Sequence, residues 1–182
     1  MLGKKQKYVA FLRGINVGGH HKVPMAELKE VLQKMKFDNV ITLLNSGNII
    51  FESSEENIDK LETQIAKQLE RSFGFSVPTL IRTKDAILNL IEKDPFKVIA
   101  ANKDIRLYVS FIRAGNTVNL ELPWQTKDNA YQILHAENEI ISSVLDLSVF
   151  QTPKAMNTLE KFYGKDITTR NWKTIKRIEA KL

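Results

Sequence analysis

The sequence predicts an α+β protein of two tandem ferredoxin-like (split βαβ) halves, the second irregular, packed tightly together. Three observations carry this. Residues 1–83 switch between strand-like and helix-like hydrophobic spacing in the order strand, helix, strand, strand, helix, strand. Residues 84–182 follow a looser version of that order and add a terminal helix. The split βαβ sheet order, 4-1-3-2, leaves the fourth strand on an edge, and the fourth strand carries Pro78, which edges tolerate and central strands do not.

Lys7–Ile15 is rich in aromatic and β-branched residues and reads as the first strand. After a Gly-rich loop, Pro24 suits the first turn of a helix in which Met25, Leu28, Val31, Leu32 and Met35 recur at helical spacing. Val40–Leu44 is an apolar strand, Asn45-Ser46-Gly47-Asn48 a tight turn and Ile49-Ile50-Phe51 the returning partner. Ser53 with Glu56 makes a capping box for a helix that carries Ile58, Leu61, Ile65 and Leu69 on one face and stops at Gly74. Val77–Arg82 is the fourth strand.

In the second half, Ala86–Lys93 is a short helix and Ile105–Ile112 a strand, while Leu122-Pro123-Trp124 opens an irregular or short helical stretch. Tyr131–Leu134 and Glu139–Val144 form a hairpin around Ala136-Glu137-Asn138. Thr152-Pro153 starts a helix running to Gly164, and Asn171 caps a final one. No obvious sequence identity links the halves, so duplication rests on element order alone. The boundary between 1–83 and 84–182 falls within residues 83–104, around Asp94-Pro95.

With 182 residues, 43% of them hydrophobic, the chain can bury a core. No apolar run approaches the ~18 residues of a membrane span and no signal peptide opens the chain, so no membrane partner is expected. The absence of cysteine excludes disulfides, thiolate metal sites and Cys nucleophiles, and agrees with a cytoplasmic setting. The net charge of +6 is uneven: +6 over residues 1–36, −5 over 37–153 and +5 over 154–182. If the fold joins the two ends, one basic face results. Otherwise Lys4, Lys5 and Lys7 form a solvated tail.

The segment Arg13–Pro24 holds three of the eight glycines, Gly14, Gly18 and Gly19, between a strand and a helix. Glycines there let backbone N–H groups converge on an anion, and the helix adds its positive end. Val23 has no side-chain oxygen with which to cap that helix. The loop is neither a P-loop, since His20 follows Gly19, nor a dinucleotide fingerprint. The plainer alternative is that the glycines only permit a sharp turn.

The first and second strands of this topology run parallel, so the loop and the following hairpin share one end of the sheet. Arg13, Gly14, Asn16, Gly18, Gly19, His20 and Lys22 then join Asn45, Ser46 and Asn48 as ligand-binding candidates. Residues 13–24 and 45–51 contain no Asp or Glu, which disfavours a paired-carboxylate mechanism or a Mg²⁺ site. Adjacent His20 and His21 point apart and lack a third ligand, so no metal is expected. His20 is the one candidate general acid or base.

Arg170 and Asn171 precede the last helix and are further ligand-binding candidates. Alternatively Trp172 is a core anchor, Asn171 an N-cap, and Lys173, Lys176, Arg177 and Lys181 a solvated face. Tyr8, Phe11 and Phe51 invite comparison with RNA-stacking sheets. However, Tyr8, Ala10 and Leu12 on one face and Val9, Phe11 and Ile15 on the other are apolar, which implies a sheet covered on both sides.

Tyr8-Val9-Ala10-Phe11-Leu12-Arg13-Gly14-Ile15-Asn16-Val17-Gly18-Gly19, Lys22-Val23-Pro24-Met25-Ala26-Glu27-Leu28, Ser46-Gly47-Asn48-Ile49-Ile50-Phe51-Glu52 and Thr169-Arg170-Asn171-Trp172-Lys173-Thr174 resemble the hallmark motifs of the bacterial domain-of-unknown-function family numbered 1697. The resemblance implies a compact α+β protein with related tandem halves and assigns no activity, cofactor or catalytic residue. Val149-Phe150-Gln151-Thr152 departs from the family pattern, which has a Gly-Arg-Ser-like stretch there. The favoured reading is a protein that binds a small phosphate- or carboxylate-bearing ligand at the Gly14–Pro24 loop, with no cofactor. The alternatives are nucleic-acid binding through the basic ends, and a ligand-free interaction module that forms a homodimer.

Overall fold

The computed structural model describes residues 5–100, 102–116 and 120–182. Among these, five helices and two antiparallel sheets form an α+β structure. The chain divides into two compact units, Met1–Asn89 with Ile178–Leu182, and Leu90–Arg177.

The first unit runs β1 (Gln6–Leu12), α1 (Met25–Lys34), β2 (Asp38–Leu43), β3 (Asn48–Ser53), α2 (Ile58–Phe73), β4 (Thr79–Thr83) and the start of α3 (Lys84–Lys93). Its strands lie in the order β2-β3-β1-β4, with every neighbouring pair antiparallel. Tyr8, Val9, Ala10 and Phe11 are all 0% exposed, so central strand β1 is dry on both faces. One face, with Tyr8, Ala10, Leu12, Ile49, Phe51 and Ile81, packs against Leu28 and Leu32 of α1 and Leu61, Ile65 and Leu69 of α2. The aromatics that suggest an RNA-stacking sheet are therefore core residues.

Pro78 stands just before edge strand β4 and accepts a hydrogen bond from the Arg13 amide at 2.9 Å. The expected capping box does not form. β3 continues through Ser53, whose Oγ accepts from the Glu55 amide, and α2 begins later. Asn57 caps it instead, its side chain accepting from the Lys60 amide at 2.9 Å. Gly74 ends the helix in the left-handed conformation, as its position predicts.

The second unit contains β5 (Ile105–Ile112), β6 (Trp124–Gln125), β7 (Tyr131–Glu137), β8 (Ile140–Asp146), α4 (Thr152–Tyr163), β9 (Ile167–Asn171) and most of α5 (Trp172–Glu179). Its strand order is β6-β7-β8-β5-β9. Three details differ from expectation. The stretch after Leu122-Pro123 pairs as strand β6 with β7. The β7–β8 turn centres on Asn138-Glu139, both at positive φ, which suits the strand twist. Residues 167–171 form a strand where the residue pattern predicts only the approach to the last helix.

Residue by residue, the internal register of the second sheet repeats that of the first. Tyr8 lies opposite Phe51 and Thr83; Tyr108 lies opposite Ser143 and Asn171. Val9 pairs with Arg82, and Val109 with Arg170. The Leu12 amide reaches Gly47 O and the Ile112 amide reaches Glu139 O, while Arg13 N to Pro78 O matches Arg113 N to Asp166 O. Both sheets also carry a register shift at the same place, between Asp38 and Ile41 and between Ile133 and His135. The register brings one stretch of each half into line. Tyr8-Val9-Ala10-Phe11-Leu12-Arg13 is echoed by Tyr108-Val109-Ser110-Phe111-Ile112-Arg113.

Gly47 has a φ of +74°, and a Cβ built on it would lie 2.7 Å from Ile15 Cδ1 and 2.8 Å from Leu12 Cβ. A Cβ on Gly18, at φ +59°, would meet nothing within 4 Å. Gly47→Ala should therefore lose about 2–4 kcal/mol, from overpacking added to left-handed strain, and Gly18→Ala only about 1 kcal/mol. Urea denaturation of the two variants tests the contrast, and equal losses would contradict it.

Candidate functional site

The loop between β1 and α1 is a miniature hairpin standing on the end of the first sheet. Val17 and His20 pair as a β-bridge around Gly18 and Gly19, at φ 59° and 79°. The His20 amide donates to Val17 O at 3.1 Å, and the Asn16 amide to His21 O at 3.0 Å. Two residues at positive φ make this turn, which is why glycines occupy its tip. The result is a convex finger. Of the loop amides expected to converge on an anion, those of Asn16 and His20 are taken up by the hairpin's own carbonyls.

Asn16 anchors the finger. At φ 55° its side chain accepts from the Val23 amide at 2.8 Å and donates to Val23 O at 3.0 Å and Asn45 O at 2.8 Å. The loop and the β2–β3 turn thus meet, as the parallel course of β1 and β2 requires. The side chains expected to face a ligand serve the scaffold instead. Asn48 is completely buried and donates to Leu43 O at 2.9 Å and Ser46 Oγ at 3.0 Å. Asn16 likewise has its amide hydrogens engaged within the protein. Asn45 and Ser46 remain at the surface.

The finger's exposed residues are Gly14 and Val17 through Lys22, and Val17 is 70% exposed. Arg13 is half-buried at its base. The His21 ring stacks on Phe75, with centroids 4.4 Å apart, and its Nδ1 lies 3.2 Å from Gly14 O. His20 and Lys22 are left facing solvent beside the start of α1, where the cap residue Pro24 makes no side-chain cap bond. Glu27 in the first turn of α1 is the nearest acid in sequence. Phe75 as the shelf for His21 and Asn16 as an anchor carried no sequence signal, since both roles arise from contacts across chain separations.

Arg170 belongs to β9 and is 7% exposed. Its Nη1 donates to Thr168 Oγ1 at 2.8 Å and Thr169 O at 2.9 Å. Burial lowers its pKa to about 10, so it stays protonated at neutral pH. Arg170 is thus a sheet residue and does not stand at a helix terminus facing solvent, as expected. Asn171 closes β9 at the surface. Trp172 packs edge-on to Phe96 at 5.2 Å, and Lys176 lies 5.2 Å over its ring.

Lys4 lies outside the described residues. Lys5 and Lys7 do not form a free tail: Lys5 pairs with Asp38, and Lys7 approaches Glu52 at 3.7 Å. Both line a cleft of about 320 Å³ with Gln6, Glu56, Lys84 and Asp85, where basic and acidic groups alternate. Among the described residues, no three His, Cys, Asp or Glu side chains gather in a metal-binding group, and no helix is long and apolar enough to cross a membrane.

No curated protein matches the chain. The solved structure of the conserved bacterial protein SP0830 from Streptococcus pneumoniae is similar over 97% of this chain and 98% of that one, with a TM-score of 0.68 and 23% sequence identity. At that identity the likeness establishes the fold alone. The model of the family described as "Protein of unknown function (DUF1697)" matches residues 5–140, and the chain belongs to that family.

Proposed function

We propose that the protein binds a phosphate-bearing polyanion through the Arg13–Lys22 finger, the ligand being an extended backbone such as that of a nucleic acid. One observation carries this reading: an acid-free, cationic hairpin projects from a rigid base with its tip in solvent. Small ligands are usually held in concave pockets. A convex tip instead suits a partner that runs past it, with Arg13 and Lys22 supplying charge and His20 and the glycine amides supplying hydrogen bonds. The two units, as tandem split βαβ halves, would serve as the scaffold, and the corresponding register of their sheets supports that architecture.

The smaller-ligand reading keeps one observation in its favour, the first turn of α1 with no side-chain cap beside Lys22. A single phosphate or carboxylate could accept from those amides.

Fluorescence anisotropy with a labelled oligonucleotide of ~20 nucleotides separates the readings. Affinity should fall with salt at about 0.7 powers per phosphate contacted on a single strand, or about 0.9 on a duplex. Lys22→Glu should flatten that slope by about one phosphate and weaken binding roughly tenfold. Asn16→Ala, which leaves the net charge unchanged, should also weaken binding by releasing the base of the finger. Salt-independent binding, or an unchanged affinity in Lys22→Glu, would overturn the polyanion reading. Inorganic phosphate or small acids tested by thermal shift should stabilise the fold by ~2.7 kcal/mol at ~100 times the dissociation constant if the smaller-ligand reading holds.

A further inference from the structure

Where the first unit uses three phenyl rings, the second carries three hydroxyls. Phe51, opposite Tyr8, corresponds in the ladder to Ser143, opposite Tyr108. Asp38 opposite Glu52 corresponds to Gln132 opposite Val144, which matches Phe37 with Tyr131. Phe73 precedes the cap Gly74, and Tyr163 precedes the cap Gly164. In the first unit hydrocarbon fills the space, with the Phe37 and Phe51 rings 4.7 Å apart and Tyr8 stacked on Phe51 at 5.6 Å. Serine in place of phenylalanine removes a ring from such a layer, and interiors are close-packed enough for that volume to matter.

Tyr131 and Ser143 are 0% exposed and Tyr163 is 3% exposed. None of their hydroxyls has a hydrogen-bond partner among the described residues. Ser143 lies near enough to the Tyr131 phenol to pull its pKa down, against the larger upward effect of burial. Burial and the neighbouring Tyr163 and Tyr108 hold the Tyr131 phenol far above its ordinary range, so it remains a donor at any physiological pH. Buried hydroxyls are normally satisfied, by protein or by ordered water, and a buried water takes two to four polar partners.

We propose that the core of the second unit binds an ordered internal water, bridged by the hydroxyls of Tyr131, Ser143 and Tyr163. The residues supply one aliphatic and two phenolic hydroxyls, each able to donate and to accept. A cleft of about 240 Å³ beside the β7–β8 turn, lined by Ile112, Ile140, Ile141 and Tyr163 among others, reaches the same tyrosine from the surface and offers a path for exchange. This inference is independent of the polyanion reading.

The test is a crystal structure at about 1.5 Å together with the melting temperatures of Tyr131→Phe and Tyr163→Phe. The expected result is a solvent peak within hydrogen-bond distance of at least two of the three oxygens, with at least one variant melting about 2–4 °C lower. A dry site gives the opposite sign, because removing an unpaired buried hydroxyl leaves stability unchanged or raises it. Absence of the peak, or no loss of stability in either variant, would overturn the proposal.

Discussion

The first unit is organised around the pairing of β1, a strand with neither a free edge nor a wet face. β3 and β4 take up its backbone groups, and side chains on both faces are fully buried. Because both faces are apolar, alternation alone would not hold such a strand in register. Gly47 supplies the missing constraint. Its carbonyl accepts from Leu12, and its backbone passes so close to Leu12 and Ile15 that no side chain fits between them. The corresponding position in the second unit is Glu139, also at positive φ, and there Gly115 takes the place of Ile15. A Cβ on Gly115 would meet nothing within 4 Å, so the second unit does not repeat this close approach.

That lock also determines what the loop after β1 can be. With Leu12 fixed against Gly47, and Asn16 bonded to both Val23 and Asn45, the chain between them closes as a short hairpin whose tip points outward. Its cations are presented on a stiff base, so little ordering is required when a partner arrives. The same closure takes up the Asn16 and His20 amides within the hairpin. For the anionic partner proposed above, a projecting hairpin suits a long ligand better than an enclosed one.

The two units show how one backbone plan tolerates different interiors. Glu62 of the first is buried beside Arg82, its Oε1 accepting from the Ile81 amide at 2.8 Å. Thr152, at the corresponding helix position, instead meets the Tyr108 hydroxyl at 3.2 Å. Phenyl rings in one layer become hydroxyls in the other. Each exchange keeps the register of the strands while changing the polarity between sheet and helix.

Residue patterns alone determined the order of elements in the first unit, the buried face of α2, the Gly74 stop and the acid-free character of the loop. These are local properties, set by side-chain period and by the conformational freedom of single residues. The capping box was misplaced because β3 runs on for two residues beyond its apolar core, which only its pairing with β1 reveals. The six-residue echo between the halves stands out once the ladders of the two sheets, with their register shifts, are laid side by side. Arg170 looked like a residue at a helix terminus until β5 claimed it as a strand partner. Only tertiary structure decided whether the loop's donors face outward or inward, because hydrogen-bond partners such as Asn45 and Val23 are chosen by how the chain returns on itself in space.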